Sequence, residues 1–290
     1  MRLRPGRSVV GLATLSLAFS LTACGGDDAK DTAASSTPAM ASTISVPDDV
    51  KAKGALTVAA DASYAPNEFI KPGGKDVVGL DVDLAKAIGQ KLGLGVTVKN
   101  ATFDAIIPGL ASGKYDLGMS SFTDTKEREQ TVDFVTYFTA GTSFFVKSDG
   151  GPSVGGLADL CGKKVSVEKG TTQADDAQTQ AKKCKVTVLV FPDQSAANLA
   201  LKSGRADVSM ADSPVAAYQV KQSGGAFKLT GEPYGTAPYG IAIPKNSGLA
   251  QPVLEAVKAL IADGTYGKIL DTWGVADGAI TEPVLNGAEA

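Results

Sequence analysis

Residues 112–134 read SGKYDLGMSSFTDTKEREQTVDF, and the architecture expected of the whole chain grows from them. Ser112-Gly113 suits a helix stop, because glycine accepts the left-handed conformation such a stop needs. Residues 115–119 are a short, mostly apolar run, long enough for one buried strand. The run ends in Ser120-Ser121-Phe122-Thr123, a hydroxyl-rich turn, and a polar, helix-favouring segment holding Arg128 follows. A strand thus stops and delivers hydroxyls, backbone N–H groups and one guanidinium to one place. Open α/β sheets bind ligands at the carboxyl ends of their strands. A guanidinium there can grip a carboxylate with two parallel N–H···O bonds.

A second copy lies at residues 203–212, SGRADVSMAD. Its pattern, Ser-Gly-basic-x-Asp-aliphatic-x-Met, matches residues 112–119 position for position. Each copy follows a helix-like segment, 104–111 and 195–202. The second copy ends in Asp212 where the first ends in Ser121. Either unit alone is an ordinary helix–turn–strand with exposed charges, and a fold unit does not imply a site. The pair is more informative, because one copy offers a carboxylate grip and the other an anion for an ammonium. A zwitterion fits between them.

The N-terminus has a different character. Arg2, Arg4 and Arg7 precede an apolar run over residues 9–18, the charged start and short hydrophobic centre of a secretory signal. A transmembrane helix needs about 20 apolar residues, more than this run supplies. Leu21-Thr22-Ala23-Cys24 is similar to the lipobox of bacterial lipoproteins, which implies cleavage before Cys24 and a diacylglyceryl thioether on its sulfur. The plainer alternative is a signal peptide with an incidental cysteine. Residues 24–46 hold almost no large apolar side chain, so they read as a disordered tether.

The remaining chain allows one large domain or two lobes. A net charge of −3, with no basic block and no aromatic-basic interleaving, argues against nucleic acid. There is no histidine, which removes the commonest general base and metal ligand, and no cysteine cluster has metal spacing. No metal or cofactor is therefore expected. Cys161 and Cys184 remain after Cys24, and an even pair in an exported protein suggests a disulfide. Two buried free thiols are the alternative.

Residues 56–59 form a short strand that runs into DASYAPNEF at 61–69. In residues 80–93, Leu84, Ile88 and Leu92 make one apolar helix face and Gly93 the stop, with Asp81 and Asp83 favourable at the positive helix end. That helix reads as scaffold whose charges have no function. Residues 96–98 are a strand, and Phe103 lies at a strand-to-helix junction where a ligand would lie. Residues 132–145 have strand character, 164–167 form a strand, and Gly170-Thr171-Thr172-Gln173 starts a helix. Free N–H groups there suit an anion, although simple capping by Thr171 or Thr172 is the commoner explanation. Residues 218–235 read as Gly-rich connection, 249–270 as a helical region broken at Gly264, and the residues after Trp273 as a loose tail.

Taken together, DASYAPNEF (61–69), VGLDVDLAKAI (78–88), FDAIIPGL (103–110), residues 112–128, VDF (132–134), GKKVSVEKGTTQ (162–173), residues 204–212 and 266–273 resemble an extracytoplasmic solute-binding protein of the polar amino-acid uptake type, a component of an ABC importer. The resemblance covers residues 50–273. It implies a type II periplasmic-binding-protein-like fold of two α/β lobes joined by two crossover strands. Lobe 1 would be 47–146 with 239–276, lobe 2 147–238, the crossovers 144–148 and 239–242, and the tail 277–290. It implies that Arg128 grips the ligand α-carboxylate with Thr123, that Thr172 and Gln173 assist from lobe 2, and that Asp212 accepts the α-ammonium with the Ser121 carbonyl. Tyr64 and Phe103 would wall the side chain, Phe122 would also belong to the ligand site, and Asp61 would meet a cationic side chain. Asn67 and Phe122 depart from the family pattern and leave the side-chain preference open. The implied partners are a polar amino acid, a permease with its ATPase subunit, and the membrane through the lipid anchor, with the protein a monomer on the outer face of the cell membrane. An enzyme of the dehydratase type on the same fold, or an amino-acid sensor, are the rival functions; an enzyme would need Glu68, Glu127 or Asp61 as proton donor.

Overall fold

The aspartate of each repeated unit stitches two strands together. Asp116 Oδ2 accepts the Thr57 N–H at 2.6 Å, and Asp207 Oδ2 accepts the Lys164 N–H at 2.8 Å. In both units the acceptor ties the repeat strand to the parallel strand beside it, so this residue is structural. The preceding glycines, Gly113 and Gly204, have φ of 74° and 77°, the left-handed turn read from the sequence. The computed structural model describes residues 44–288. The signal segment 1–23, the lipidation of Cys24 and residues 25–43 of the tether lie outside the described residues.

In chain order the elements are α1 (Asp48–Lys53), β1 (Ala55–Ala60), β2 (Ser63–Tyr64), β3 (Glu68–Ile70), β4 (Val77–Val78), α2 (Leu80–Leu92), β5 (Gly95–Asn100), α3 (Phe103–Ala111), β6 (Leu117–Gly118), β7 (Val132–Lys147), β8 (Lys164–Glu168), α4 (Thr172–Ala181), β9 (Thr187–Phe191), α5 (Gln194–Lys202), β10 (Val208–Asp212), α6 (Ser213–Gln222), β11 (Phe227–Pro244), α7 (Ala250–Ala262) and α8 (Thr265–Trp273). Among the described residues, eight strands form one mixed sheet in the order β5-β1-β6-β11-β7-β10-β8-β9, and β2, β3 and β4 form a small second one. β1 is parallel to β5 and β6 at one end, and β8 is parallel to β9 and β10 at the other.

The long antiparallel pair β7 and β11 joins the two ends. Its one end packs on a core holding Leu84, Ile88, Val135 and Val257, its other on a core holding Phe144, Val165 and Met210. The fold is thus two-lobed and α/β. β7 pairs with β10 from Thr142 onward, so it enters the second lobe somewhat before the 144–148 crossing expected.

Residues 218–235 are more ordered than a connection. Pro214 opens α6, Val215 and Ala216 bury its inner face, and β11 begins at Phe227. Gly231 explains the misreading. Its φ is 69° beside a break in register, and a Cβ would stand 2.6 Å from the Val154 carbonyl oxygen, so the glycine marks a bulge within a strand. The two chain ends also differ from expectation. Ile44 and Val46, at the end of the expected tether, pack on the first core. The tail is pinned alongside β7: Leu285 bridges Val135, and the Asn286 and Thr136 N–H groups donate to the Phe134 and Val284 carbonyls at 2.8 and 2.9 Å. Cys161 and Cys184 form a disulfide.

Candidate functional site

Strand ends from both lobes converge on one small cleft. On the first lobe β1 delivers Asp61. Its Oδ2 accepts the Phe103 N–H at 3.0 Å, its Oδ1 accepts the Ser63 N–H at 3.1 Å, and its own N–H donates to Ser120 Oγ at 2.9 Å. Burial pushes this carboxyl up while the Ser63 and Phe103 bonds pull it down. Phe103 lies stacked on Phe122 with ring centroids 4.4 Å apart, and the Arg128 guanidinium sits over both rings at 5.4 and 5.5 Å. That aromatic floor holds the cation by its face and leaves its edges for hydrogen bonds. Arg128 Nη1 donates to the Thr123 carbonyl at 2.8 Å.

The Ser120-Ser121 turn is held from behind by buried acids. Ser121 has φ of 53°. Its N–H donates to Asp81 Oδ2 at 2.8 Å, and the Tyr137 hydroxyl donates to the same carboxylate. Ser120 Oγ donates to Glu68 Oε1 at 3.0 Å, and Asn67 Nδ2 donates to Ser121 Oγ at 2.8 Å. Asp81 therefore anchors the turn that faces the cleft, contrary to the reading of the α2 charges as functionless. Glu68 sits against Asp81 and is pushed up by burial and by that neighbour. Asn67 takes part in the same support.

On the second lobe Thr171 caps α4: its Oγ1 accepts the Ala174 N–H at 3.2 Å and donates to the Glu168 carbonyl at 2.8 Å. The capping alternative is therefore realised, but by Thr171, and Thr172 lines the cleft at the first helical turn, where N–H groups lack intrahelical partners. Asp212 ends β10. Its Oδ1 accepts Gln173 Nε2 at 2.7 Å and its Oδ2 accepts the Tyr239 hydroxyl at 2.6 Å. Burial raises this carboxyl, opposed by the Tyr239, Gln173 and Tyr64 bonds and by the charge of Arg128.

Of the residues singled out from the sequence, Asp61, Tyr64, Phe103, Ser121, Thr123, Arg128, Thr172, Gln173 and Asp212 line this one cleft. Phe122 does not. It is 1% exposed beneath Phe103 and packs in the first lobe's core with Val132 and Phe134. Ser120, Thr171 and Glu168 line the cleft and were not anticipated. The Ser-Ser turn and the Thr-Thr pair pointed to the first two. Glu168 gave no signal, since a glutamate beside Lys169 at a strand end looks solvent-facing.

The halves also touch. Arg128 Nη2 donates to the Gly170 carbonyl at 2.9 Å, the Asp212 N–H donates to Tyr64 Oη at 3.0 Å, the Gln194 N–H donates to Ser63 Oγ at 3.0 Å, and Lys169 pairs with Asp104 at 2.7 Å. The lobes thus stand closed. Three carboxyl side chains, Asp61, Glu168 and Asp212, line the cleft against one cation, Arg128.

Two α/β lobes on a pair of shared strands, closing a polar cleft with opposite charges on its walls, define a two-lobed ligand-binding protein. The chain belongs to the bacterial extracellular solute-binding proteins, family 3, whose pattern matches residues 56–276. It is 32% identical over 248 residues to the arginine-binding protein ArgT of Corynebacterium glutamicum, covering 83% of this chain and 81% of that protein. It is 35% identical over 218 residues to the ABC transporter arginine-binding protein 1 of Escherichia coli, covering 73% and 87%. Among solved structures, an ancestral arginine-binding protein bound to arginine is similar with a TM-score of 0.73 at 42% identity, over 76% of this chain and 98% of that one. An ancestral arginine-binding protein bound to glutamine is similar with the same score and identity, over 77% and 98%.

Proposed function

We propose that this chain is the substrate-binding receptor of an ABC importer and that its cargo is a basic amino acid, arginine foremost. It captures rather than converts its ligand, as the named relatives are binding proteins and not enzymes. The single observation that carries the basic reading is the charge balance of the cleft. Arg128 suits the α-carboxylate and Asp212 the α-ammonium, which uses one charge of each sign. Asp61 is then left with no cation among the residues lining the cleft, and Glu168, which holds its proton until a cation is set against it, adds a second carboxyl on the opposite wall. A cationic side chain supplies that cation.

Arg128, Thr123 and Thr172 bind the carboxylate; Asp212, with the Ser121 carbonyl and Gln173, the ammonium end; Tyr64 and Phe103 flank the side chain. Closure then adds the second-lobe contacts, and their differential strength sets the closed population. The closed shape is what a permease with its ATPase subunit recognises. Residues 1–23 act as a signal peptide, Cys24 carries the lipid, and a tether ending before Ile44 holds a monomeric body, with lobes at 47–146 plus 239–276 and 147–238, off the outer face of the membrane.

A thermal-shift screen of the purified protein against the twenty amino acids, ornithine and citrulline tests the reading. Arginine, lysine or ornithine is expected to give the largest rise in melting temperature. A rise confined to neutral or acidic amino acids overturns the basic assignment. Product formed from prephenate-type substrates overturns the assignment as a receptor.

A further inference from the structure

The structure assigns a specificity role to Glu168: we propose that it is the second-lobe half of a two-carboxylate clamp, with Asp61 as the first-lobe half, that holds the cationic end of the ligand side chain. The inference rests on the basic reading above and deepens it.

The duplication of the fold places the pair. β6 and β10 are the repeated strands, and each runs parallel to a neighbour, β1 in the first lobe and β8 in the second. Asp61 follows the last residue of β1, and Glu168 is the last residue of β8. The two acids therefore occupy corresponding positions at the carboxyl ends of corresponding strands, one on each wall of the same cleft.

Glu168 is also unfinished business in the folded protein. It is 2% exposed, and its Oε1 is buried with no hydrogen-bond partner among the described residues. A buried polar atom left unpaired is destabilising unless something else satisfies it. The neighbouring cation does not: Lys169 is paired with Asp104 and its side chain is 63% exposed. The titratable groups acting on Glu168 are Asp61 beyond β1, Tyr64 on β2, Asp193 at the start of α5 and Asp212 at the end of β10, and none carries a positive charge; Arg128, in the same cleft, is bonded to the Thr123 and Gly170 carbonyls. Burial first, then Asp61, Asp193 and Asp212, push its carboxyl up to about 10, so it holds its proton at neutral pH. A guanidinium or ammonium set against it reverses that preference. The proton passes to the solvent buffer, and the carboxylate it leaves accepts the ligand's N–H donors.

Calorimetric titration of the whole mature chain with arginine at pH 7, in phosphate, HEPES and Tris, counts the protons released from the dependence on buffer ionisation enthalpy. Wild type is expected to release close to one proton per arginine and none on binding glutamine. Glu168→Gln is expected to release none, and its preference for arginine over glutamine is expected to fall about tenfold or more, the size of a lost charge-assisted bond. Glu168→Asp keeps an ionisable group and is expected to recover part of the release. Ligand-free Glu168→Gln is expected to melt no lower than wild type, because Oε1 has no partner to lose and the amide keeps a donor toward Asp61. An unchanged arginine preference with unchanged proton count overturns the clamp alone. A variant that melts lower and loses both ligands equally gives Glu168 a structural role and also overturns it. A wild type that binds neutral amino acids but no basic one removes the basic reading and the clamp together.

Discussion

Arg128 spends few of its donors inside the protein. Its guanidinium carries five N–H groups, and two carbonyls take Nη1 and Nη2 bonds. Two further charge-assisted bonds to a ligand carboxylate contribute about 1.5–3 kcal/mol each. Arg128→Ala is therefore expected to weaken amino-acid binding by about a hundredfold or more while the protein stays folded, and Arg128→Lys to recover only part, since a point charge lacks the fork. Calorimetry on both variants, with circular dichroism as the fold check, reads this out. Glu168 carries a second prediction at the same scale. A carboxyl whose folded pKa lies above its ordinary 4.5 retains a proton that the unfolded chain has released. Its stabilising share is complete below about 4.5 and is lost as pH rises through about 10. The melting temperature of the ligand-free protein is expected to fall between pH 5 and pH 9, and to fall less steeply in Glu168→Gln; equal slopes would falsify the assignment. Asp81 and Glu68 act in the same direction, so the difference between the two proteins isolates Glu168. Arg128 and Asp212 were legible in the sequence because each closes a repeated strand unit. Glu168 was not, because its burial comes from lobe closure, which no local pattern records. Phe122 was misjudged for a related reason: an aromatic in the turn could face the cleft or lie under its floor, and only the stacking with Phe103 decides.

Elements built from local signals were read well and those built from long pairings were not. The α2 face, the Gly93 stop and the two SG turns depend on residues close in sequence. The Gly-rich start of β11 pairs with β7 some eighty residues away, and its bulges need glycine, so it looked like loop. The tail was missed for the same reason, since its partners are Phe134, Val135 and Thr136. The disulfide sits between these cases: the pairing was suggested by an even count, and Cys161 before β8 is joined to Cys184 after α4 across a separation of 23 residues. Closing such a loop contributes about 3 kcal/mol by chain entropy. Reduction, or Cys161→Ser with Cys184→Ser, is expected to lower the unfolding free energy by about that amount in urea titrations. Arg128, Asp61 and Tyr64 belong to the other lobe, whereas Glu168, Thr172 and Gln173 lie inside the loop the bond closes, so ligand binding measured well below the new melting temperature is expected to be retained but weakened.

Across the whole molecule, closure is biased by the contacts that bridge the cleft. Lys169–Asp104 is an ionic one among the described residues, with side chains 63% and 28% exposed. An exposed pair contributes about 0.2–1 kcal/mol and is screened by salt. Asp104→Asn is therefore expected to weaken ligand affinity no more than about fivefold, with the difference from wild type shrinking as salt rises from 0.05 to 0.5 M by about the Debye screening. A salt-independent difference in calorimetry would show that the pair acts by packing instead. The C-terminal segment has a practical corollary. Since residues 284–286 run beside the β7 end that belongs to the first lobe, and the Ala288 N–H donates to Glu129 there, a fluorophore attached at Ala288 travels with that lobe. Leu199, 63% exposed on α5 of the second lobe, offers a mounting point for its counterpart. A dye pair placed there turns hinge motion into an optical signal, and the same body becomes a reporter of the nutrient it was built to seize.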